Sequence, residues 1–340
     1  LTLGDFDNTV TLSNTETVTG GASADIVVVG AQLLRGSWDL GGGDDAVTLG
    51  AHVNTVTISN VETLTGGATN DTVTLGAAAT GAAIALGAGL DKLTLATFDN
   101  TVTVSGIETL FGGASIDEVT FAAAITGATL DLGDGADAVT FAAAGATATI
   151  ANAETVTGAA GDDVVALSGA ATASTIDLGA GSDTLTLGTG TTATITGVET
   201  LTGGSGIDVV VISGSTAITA TLGGGADTFT GGSGSDTVTG GSGADHFVFT
   251  STAQSAVGSG DVINDFVPGT DKLVFQGLLS GTFSYEGSAA LTATGHSQAR
   301  FEDSTNTLEV DTDGDGTADM EIKLVGKTAG DLTGSSFDWS

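Results

Sequence analysis

Eleven aspartates stand at the ends of turns, nearly all glycine-rich: Asp25, Asp45, Asp71, Asp91, Asp117, Asp137, Asp163, Asp183, Asp208, Asp227 and Asp245. The steps between them run 20, 26, 20, 26, 20, 26, 20, 25, 19 and 18 residues, which sum to 245 − 25 = 220. Carboxylates beside glycines are ligand chemistry for a hard divalent cation. Calcium takes about six to eight oxygens, mixing carboxylates with backbone carbonyls. Glycine lets a turn aim its carbonyls inward where a side chain would clash. The competing role is an aspartate that hydrogen-bonds its own turn without metal.

Two turn sequences alternate. One is Gly-Gly-x-x-x-Asp, as in Gly20 to Asp25, Gly66 to Asp71 and Gly112 to Asp117; the other is Leu-Gly-x-Gly-x-Asp, as in Leu40 to Asp45, Leu86 to Asp91 and Leu178 to Asp183. A full Gly-Gly-x-Gly-x-Asp occurs at Gly203 to Asp208 and in two consecutive nonapeptides, Gly231 to Thr239 and Gly240 to Val248. Leu222 to Thr230 precedes these with only its first glycine replaced. Asp44, Asn70, Asp134 and Asp162 could add oxygens to the degenerate turns.

The elements that position these turns are short strands. Glu16, Glu62, Glu108, Glu154 and Glu199 mark a unit recurring every 46, 46, 46 and 45 residues. Such self-similarity signals a solenoid, in which each repeat buries a face of its neighbour. In Asp71-Thr-Val-Thr-Leu75 the period-2 alternation puts Val73 and Leu75 inward and the threonines outward. The spacing predicts two strands in a 20-residue step, with room for a third, such as Val61 to Thr65, in a 26-residue step, and two coils per repeat. The recurring Glu has the parity of the inward residues. A carboxylate buried without a partner is costly, so a corner position accepting backbone N–H groups is expected of it.

Composition fits a solenoid. The chain has 340 residues with Gly 55, Pro 1, Cys 0 and aromatics at 5%, so its core must be a thin stack of small side chains. The 41 acidic and 6 basic residues give a formal charge of −35, and only Arg35 and Lys92 among the basic ones precede residue 259. Nucleic acid and anionic lipid are poor partners for such a surface. A 40% hydrophobic content argues against disorder, and bound cations reconcile charge with folding. Without cysteine there is no disulfide and no thiolate metal site. No apolar run approaches the ~20 residues of a membrane helix, so membrane insertion is not expected. Leu1 to Val10 matches Leu93 to Val102, so the chain opens inside a repeat and is expected to be a piece of something longer.

The run 222–248 resembles the RTX nonapeptide repeat of proteins exported by type I secretion, whose β-roll binds calcium in its turns. That resemblance implies Asp227, Asp236 and Asp245 as calcium ligands, with Asp208 and the glycine positions Gly225, Gly232, Gly234, Gly241 and Gly243. Asp227 and Asp245 should stack on one edge and Asp236 fall on the other. For Asp25, Asp45, Asp71, Asp91, Asp117, Asp137, Asp163 and Asp183 the metal and turn-bonding readings both stand. Residues 261–275 and 308–324 resemble the C-terminal module of serralysin-type secreted proteins, whose uncleaved C-terminus carries the export signal. Here that end is Ser336-Phe-Asp-Trp-Ser340, acidic and aromatic. Asp311 to Asp319 opens like an EF-hand loop but has Ile322 where the bidentate Glu would stand. It is either another kind of calcium loop or an acidic turn.

The expected architecture is all-β: a right-handed parallel β-solenoid of degenerate 46-residue, two-coil repeats (1–221), an RTX β-roll (222–248) and a small β module with the secretion signal (249–340). Catalysis is not expected. His52, His246 and His296 lack zinc spacing, His-Glu-x-x-His is absent, and there is no Gly-x-Ser-x-Gly with a plausible acid and base and no P-loop. The function these features suggest is a calcium-dependent structural segment of a secreted bacterial cell-surface protein, such as a surface-layer protein, filament or adhesin. Calcium, the type I secretion machinery, and further copies or other surface components are its expected partners. Alternatives are the secretion and folding tail of a longer secreted enzyme, or an ice-binding solenoid using the Thr-x-Thr pair of each repeat (Thr9/Thr11 to Thr192/Thr194).

Overall fold

The computed structural model describes residues 1–339; Ser340, the last residue of the stretch read as an export signal, lies outside them. They form two compact units, Leu1–Ser168 with Leu178–Ala180, and Gly169–Asp177 with the residues from Gly181 onward. Each is a parallel β-solenoid of two sheets, as expected.

In the N-terminal unit successive strands alternate between the sheets. The first holds Asn8–Leu12, Asp25–Val29, Ala46–Thr48, Thr63–Gly67 and Thr80–Gly87; the second holds Thr17–Thr19, Gly36–Asp39, Thr55–Ser59, Thr72–Leu75 and Lys92–Thr94. Two strands make a coil. In-register partners lie 17 or 20 residues apart, as in Asn8 with Asp25 and Ile26 with Ala46.

The third strand expected in a 26-residue step is present as Thr63–Gly67. It overturns the two-coil repeat. Three strands in a long step and two in a short one make five per 46 residues, hence two and a half coils. Each repeat therefore enters the solenoid on the sheet opposite to its predecessor: Asn8–Leu12 lies in the first sheet, Thr55–Ser59 in the second, Asn100–Ser105 in the first and Thr147–Ala151 in the second. The Thr-x-Thr pairs follow this parity, so Thr9/Thr11 and Thr55/Thr57 decorate different sheets. In this unit no single face carries every pair, as a flat ice-binding array would need.

Alternation decides what is buried. Val56, Ile58, Val73 and Leu75 point into the core and Thr57 and Thr74 stand half-exposed. Phe121 and Phe141 are buried side by side in this core, their ring centroids 5.8 Å apart.

In the C-terminal unit one sheet runs from Ser174–Asp177 through Thr192–Thr196, Val209–Ile212, Thr228–Thr230 and His246–Phe249. The sequence repeat ends at residue 248, yet the coil continues: Asp261–Ile263 pairs with Thr237–Ser242, and Lys272–Phe275 with His246–Phe249. An antiparallel ribbon, Gln298–Glu302, Thr307–Asp311 and Met320–Leu324, joins Asp261–Ile263, while Phe337–Trp339 joins Lys272–Phe275. Phe275, Phe283, Phe337 and Trp339 pack their rings over this end. The cap covers a sheet edge that would otherwise template pairing with another chain.

Candidate metal-binding turns

All eleven sequence-derived aspartates are buried, at 0–1% exposure. Each turn delivers its Asp to the first residue of a strand or the one before it, so the carboxylate lies against the coils stacked on it. Its Oδ1 accepts the backbone N–H of the equivalent position one coil earlier: Asp25 N–H to Asp45 at 2.7 Å, Asp71 to Asp91 at 2.7 Å, Asp117 to Asp137 at 2.7 Å, Asp208 to Asp227 at 2.8 Å and Asp227 to Asp245 at 2.9 Å. Asp163 accepts from Ala146 N–H at 2.6 Å, and Asp183 N–H donates to Glu199 at 2.7 Å.

The two-and-a-half-coil repeat distributes these pairs over both edges. Asp25 and Asp45 lie where the chain passes from the second sheet to the first, Asp71 and Asp91 at the opposite passage, and Asp117 and Asp137 back at the first edge. Asp227 and Asp245 stack on one edge while Asp236 stands on the other, as their 18-residue separation implied.

Each degenerate ladder begins on a non-aspartate and ends on the recurring Glu. Asn8 and Asn54 donate to Asp25 and Asp71. Glu62, Glu108 and Glu154 accept the N–H of Asp45, Asp91 and Asp137 at 2.7–2.8 Å. The Glu is thus the corner acceptor expected for it.

The second carboxylate oxygen divides the rungs. Oδ2 of Asp71, Asp117, Asp208 and Asp236 accepts the N–H of the glycine four residues earlier, at 3.3, 3.0, 3.3 and 3.2 Å. Oδ2 of Asp25, Asp45, Asp91, Asp137, Asp227 and Asp245 is buried with no hydrogen-bond partner.

Burial, reinforced by neighbouring carboxylates and opposed by the backbone hydrogen bond, pushes Asp45, Asp91, Asp137 and Asp227 up to about 6. Asp117, Asp236 and Asp245 are raised by burial as well. The charges acting on Asp45 are Glu62, Asp25 and Asp44, all negative. An unpaired buried anion is costly, and an orphaned oxygen beside like charges suits a cation.

Glycine is required where stacked turns touch. A Cβ on Gly41, at φ +92°, would lie 2.0 Å from the Gly21 carbonyl oxygen, and one on Gly241, at φ +98°, 1.9 Å from that of Gly223. Carbonyl oxygens therefore line the gap between coils at both degenerate and consensus turns. Oδ2 orphans, carbonyls and absent side chains together fit calcium.

Sequence reasoning missed two further rungs. Asp261 accepts from Asp236 N–H at 2.8 Å, and Asp271 from Asp245 N–H at 3.1 Å. Their steps of 25 and 26 residues repeat the long step, but neither ends a Gly-Gly-x-x-x-Asp or Leu-Gly-x-Gly-x-Asp turn. Burial lifts Asp261 to about 8. Gln254 was missed too; its Nε2 donates to the Gly231 carbonyl at 2.6 Å and its Oε1 accepts from Ser251 N–H at 2.8 Å. Elsewhere, Asp311, Asp313 and Asp315 bring ligand atoms within 4.8 Å of one another. Both oxygens of Asp311 accept from the loop's own backbone, Gly314 N–H at 2.7 Å and Gly316 N–H at 2.8 Å, which is the bonding of an acidic turn.

Fold and turns define a parallel β-roll of the kind whose acidic glycine turns take up calcium. The chain belongs to the Peptidase M10 serralysin C-terminal family, whose model matches residues 13–333. That family is the non-catalytic repeat domain of serralysin and implies a secreted, calcium-binding β-roll. No curated protein matches the chain. No helix among the described residues is long and apolar enough to cross a membrane.

Proposed function

We propose that this chain is a calcium-dependent structural segment of a secreted bacterial cell-surface protein, a surface-layer protein, filament or adhesin, without catalysis of its own. The observation that supports it most is the set of buried, unpartnered Oδ2 atoms in turns lined by carbonyls. Calcium would be held by the aspartates of the stacked turns and the backbone around Gly225, Gly232, Gly234, Gly241 and Gly243. Its chemistry there is charge neutralisation. A formal charge of −35 opposes compaction in low cytosolic calcium, so export through the type I machinery would carry an unfolded chain. Millimolar calcium outside would then favour the coil by linkage, about 2.7 kcal/mol per site at a hundredfold excess over Kd. In this reading residues 1–221 supply length, 222–248 the consensus turns and 249–340 the cap and export signal.

The family match favours a second reading, the folding and secretion tail of an enzyme whose catalytic part lies elsewhere in a longer chain. Both readings require calcium-dependent folding. Limited proteolysis tests that requirement: the chain should be degraded throughout when calcium-free and resistant when calcium-loaded. Equal resistance in both states would refute it. Attachment of the segment to an intact cell surface then separates the scaffold from the tail.

A further inference from the structure

We propose that cation sites form only where one aspartate turn is stacked directly on another. The upper Asp, at 45, 91, 137, 227 or 245, then supplies a ligand oxygen, while Asp71, Asp117, Asp208 and Asp236 are hydrogen-bonded rungs that bind no ion through Oδ2. The inference rests on the calcium reading above and specifies its sites.

The partition follows what lies one coil below. Asp71, Asp208 and Asp236 sit over Asn54, Thr191 and Ile218, whose backbone N–H groups occupy Oδ1. Asp117 sits over Asn100, whose side-chain amide does the same. In these turns the glycine four residues before the Asp keeps an ordinary φ and donates its N–H to Oδ2, so both oxygens are satisfied. Asp261 and Asp271 rest on Asp turns but have no glycine four residues earlier, and Val267 N–H closes Oδ2 of Asp271 at 2.7 Å. The five glycine turns that end at Asp45, Asp91, Asp137, Asp227 and Asp245 rest on another Asp turn as well. There the corresponding glycine is driven to positive φ: +92° at Gly41, +99° at Gly87, +91° at Gly133, +103° at Gly223 and +98° at Gly241. That rotation takes its N–H away from the carboxylate; the N–H of Gly41 goes to Asp39 at 3.2 Å. Oδ2 is left buried without a donor. The same rotation seats the glycine over a carbonyl of the lower turn, from 1.9 to 2.2 Å from where its Cβ would be. Each of these stacked pairs thus combines a lower-turn carbonyl packed against the glycine with a buried, donor-free Oδ2 on the upper Asp. Asp25 departs from the pattern, since its Oδ2 also lacks a donor; the first pair therefore offers both carboxylates.

The consequence inverts a reading by motif. Asp236 ends a perfect Gly-Gly-Ser-Gly-Ser-Asp and is closed; Asp91 ends the degenerate Leu-Gly-Ala-Gly-Leu-Asp and is open.

The test is calcium stoichiometry of the full chain by equilibrium dialysis, with Tm measured in calcium and in chelator. Asp91→Asn and Asp227→Asn should each lose one bound ion and part of the calcium-induced rise in Tm. Asp236→Asn and Asp117→Asn should keep the wild-type number of ions and lower the Tm of the calcium-loaded protein, because an amide N–H₂ would face the glycine N–H. Loss of an ion from Asp236→Asn or Asp117→Asn, or an unchanged count for Asp91→Asn and Asp227→Asn, overturns the assignment. Wild-type protein that binds no calcium overturns the underlying reading as well.

Discussion

Lowering the pH of the calcium-free protein should stabilise it, against the usual acid response of a folded protein. Asp45, Asp91, Asp137 and Asp227 are pushed from 3.8 to about 6 in the fold, by burial first and by neighbouring carboxylates second. A raised folded-state value means that the native state binds more protons than the unfolded chain between about pH 4 and about pH 6, so stability falls as pH rises through that window. Each group contributes at most about 1.4 kcal/mol per pH unit there. Four acting together would set a ceiling of roughly 5 kcal/mol per unit. Water at the exposed turn tips screens the groups, and the realised slope should be on the order of 1–2 kcal/mol per unit. Calcium reverses the sign, because ligand carboxylates must be deprotonated and protons compete with the ion. Strand signal by circular dichroism of the dialysed protein between about pH 7.5 and about pH 5, and urea unfolding of the calcium-loaded protein over the same range, read both slopes. A calcium-free stability that declines steadily as pH falls, parallel to the calcium-loaded one, would refute the reasoning.

Other perturbations separate stacking from metal. Gly241→Ala places a Cβ 1.9 Å from a backbone oxygen at φ +98° and should cost more than about 3 kcal/mol, whereas Gly258→Ala, at φ +82° with nothing within 4 Å, should cost about 1–2 kcal/mol; thermal melts compare them. Gln254→Ala removes the bond to the Gly231 carbonyl and three acceptor contacts to Thr250 and Ser251, and should cost the calcium-loaded protein about 2 kcal/mol in urea unfolding without changing the number of bound ions. Phe121→Ala leaves a cavity beside Phe141 and should lower the stability of the calcium-loaded protein by about 3–5 kcal/mol in chemical denaturation.

Much of this was legible in the residues. The Asp spacing and the Thr-Val-Thr-Leu alternation disclosed a two-sheet solenoid, because strand parity and coil length are both written in residue counts. The half-coil offset was not, since it depends on Thr63–Gly67 acting as a full strand rather than a corner. The state of each carboxylate was also hidden. Gly231-Gly-Ser-Gly-Ser-Asp236 and Gly240-Gly-Ser-Gly-Ala-Asp245 differ at one position, yet Asp236 is satisfied and Asp245 is not. The difference lies in the coil beneath, Ile218 under one and Asp227 under the other. Asp261 and Asp271 escaped notice because Ser259-Gly-Asp261 and Pro268-Gly-Thr-Asp271 lack the motif, although their backbones continue the ladder.

The central claim is that calcium completes this fold. Far-UV circular dichroism during a calcium titration of the chelator-treated chain tests it most directly. The account predicts a weakly structured, acidic chain that gains strand signal cooperatively as calcium approaches millimolar concentration, with Tm rising alongside. A full strand spectrum and an unchanged Tm in excess chelator would contradict it.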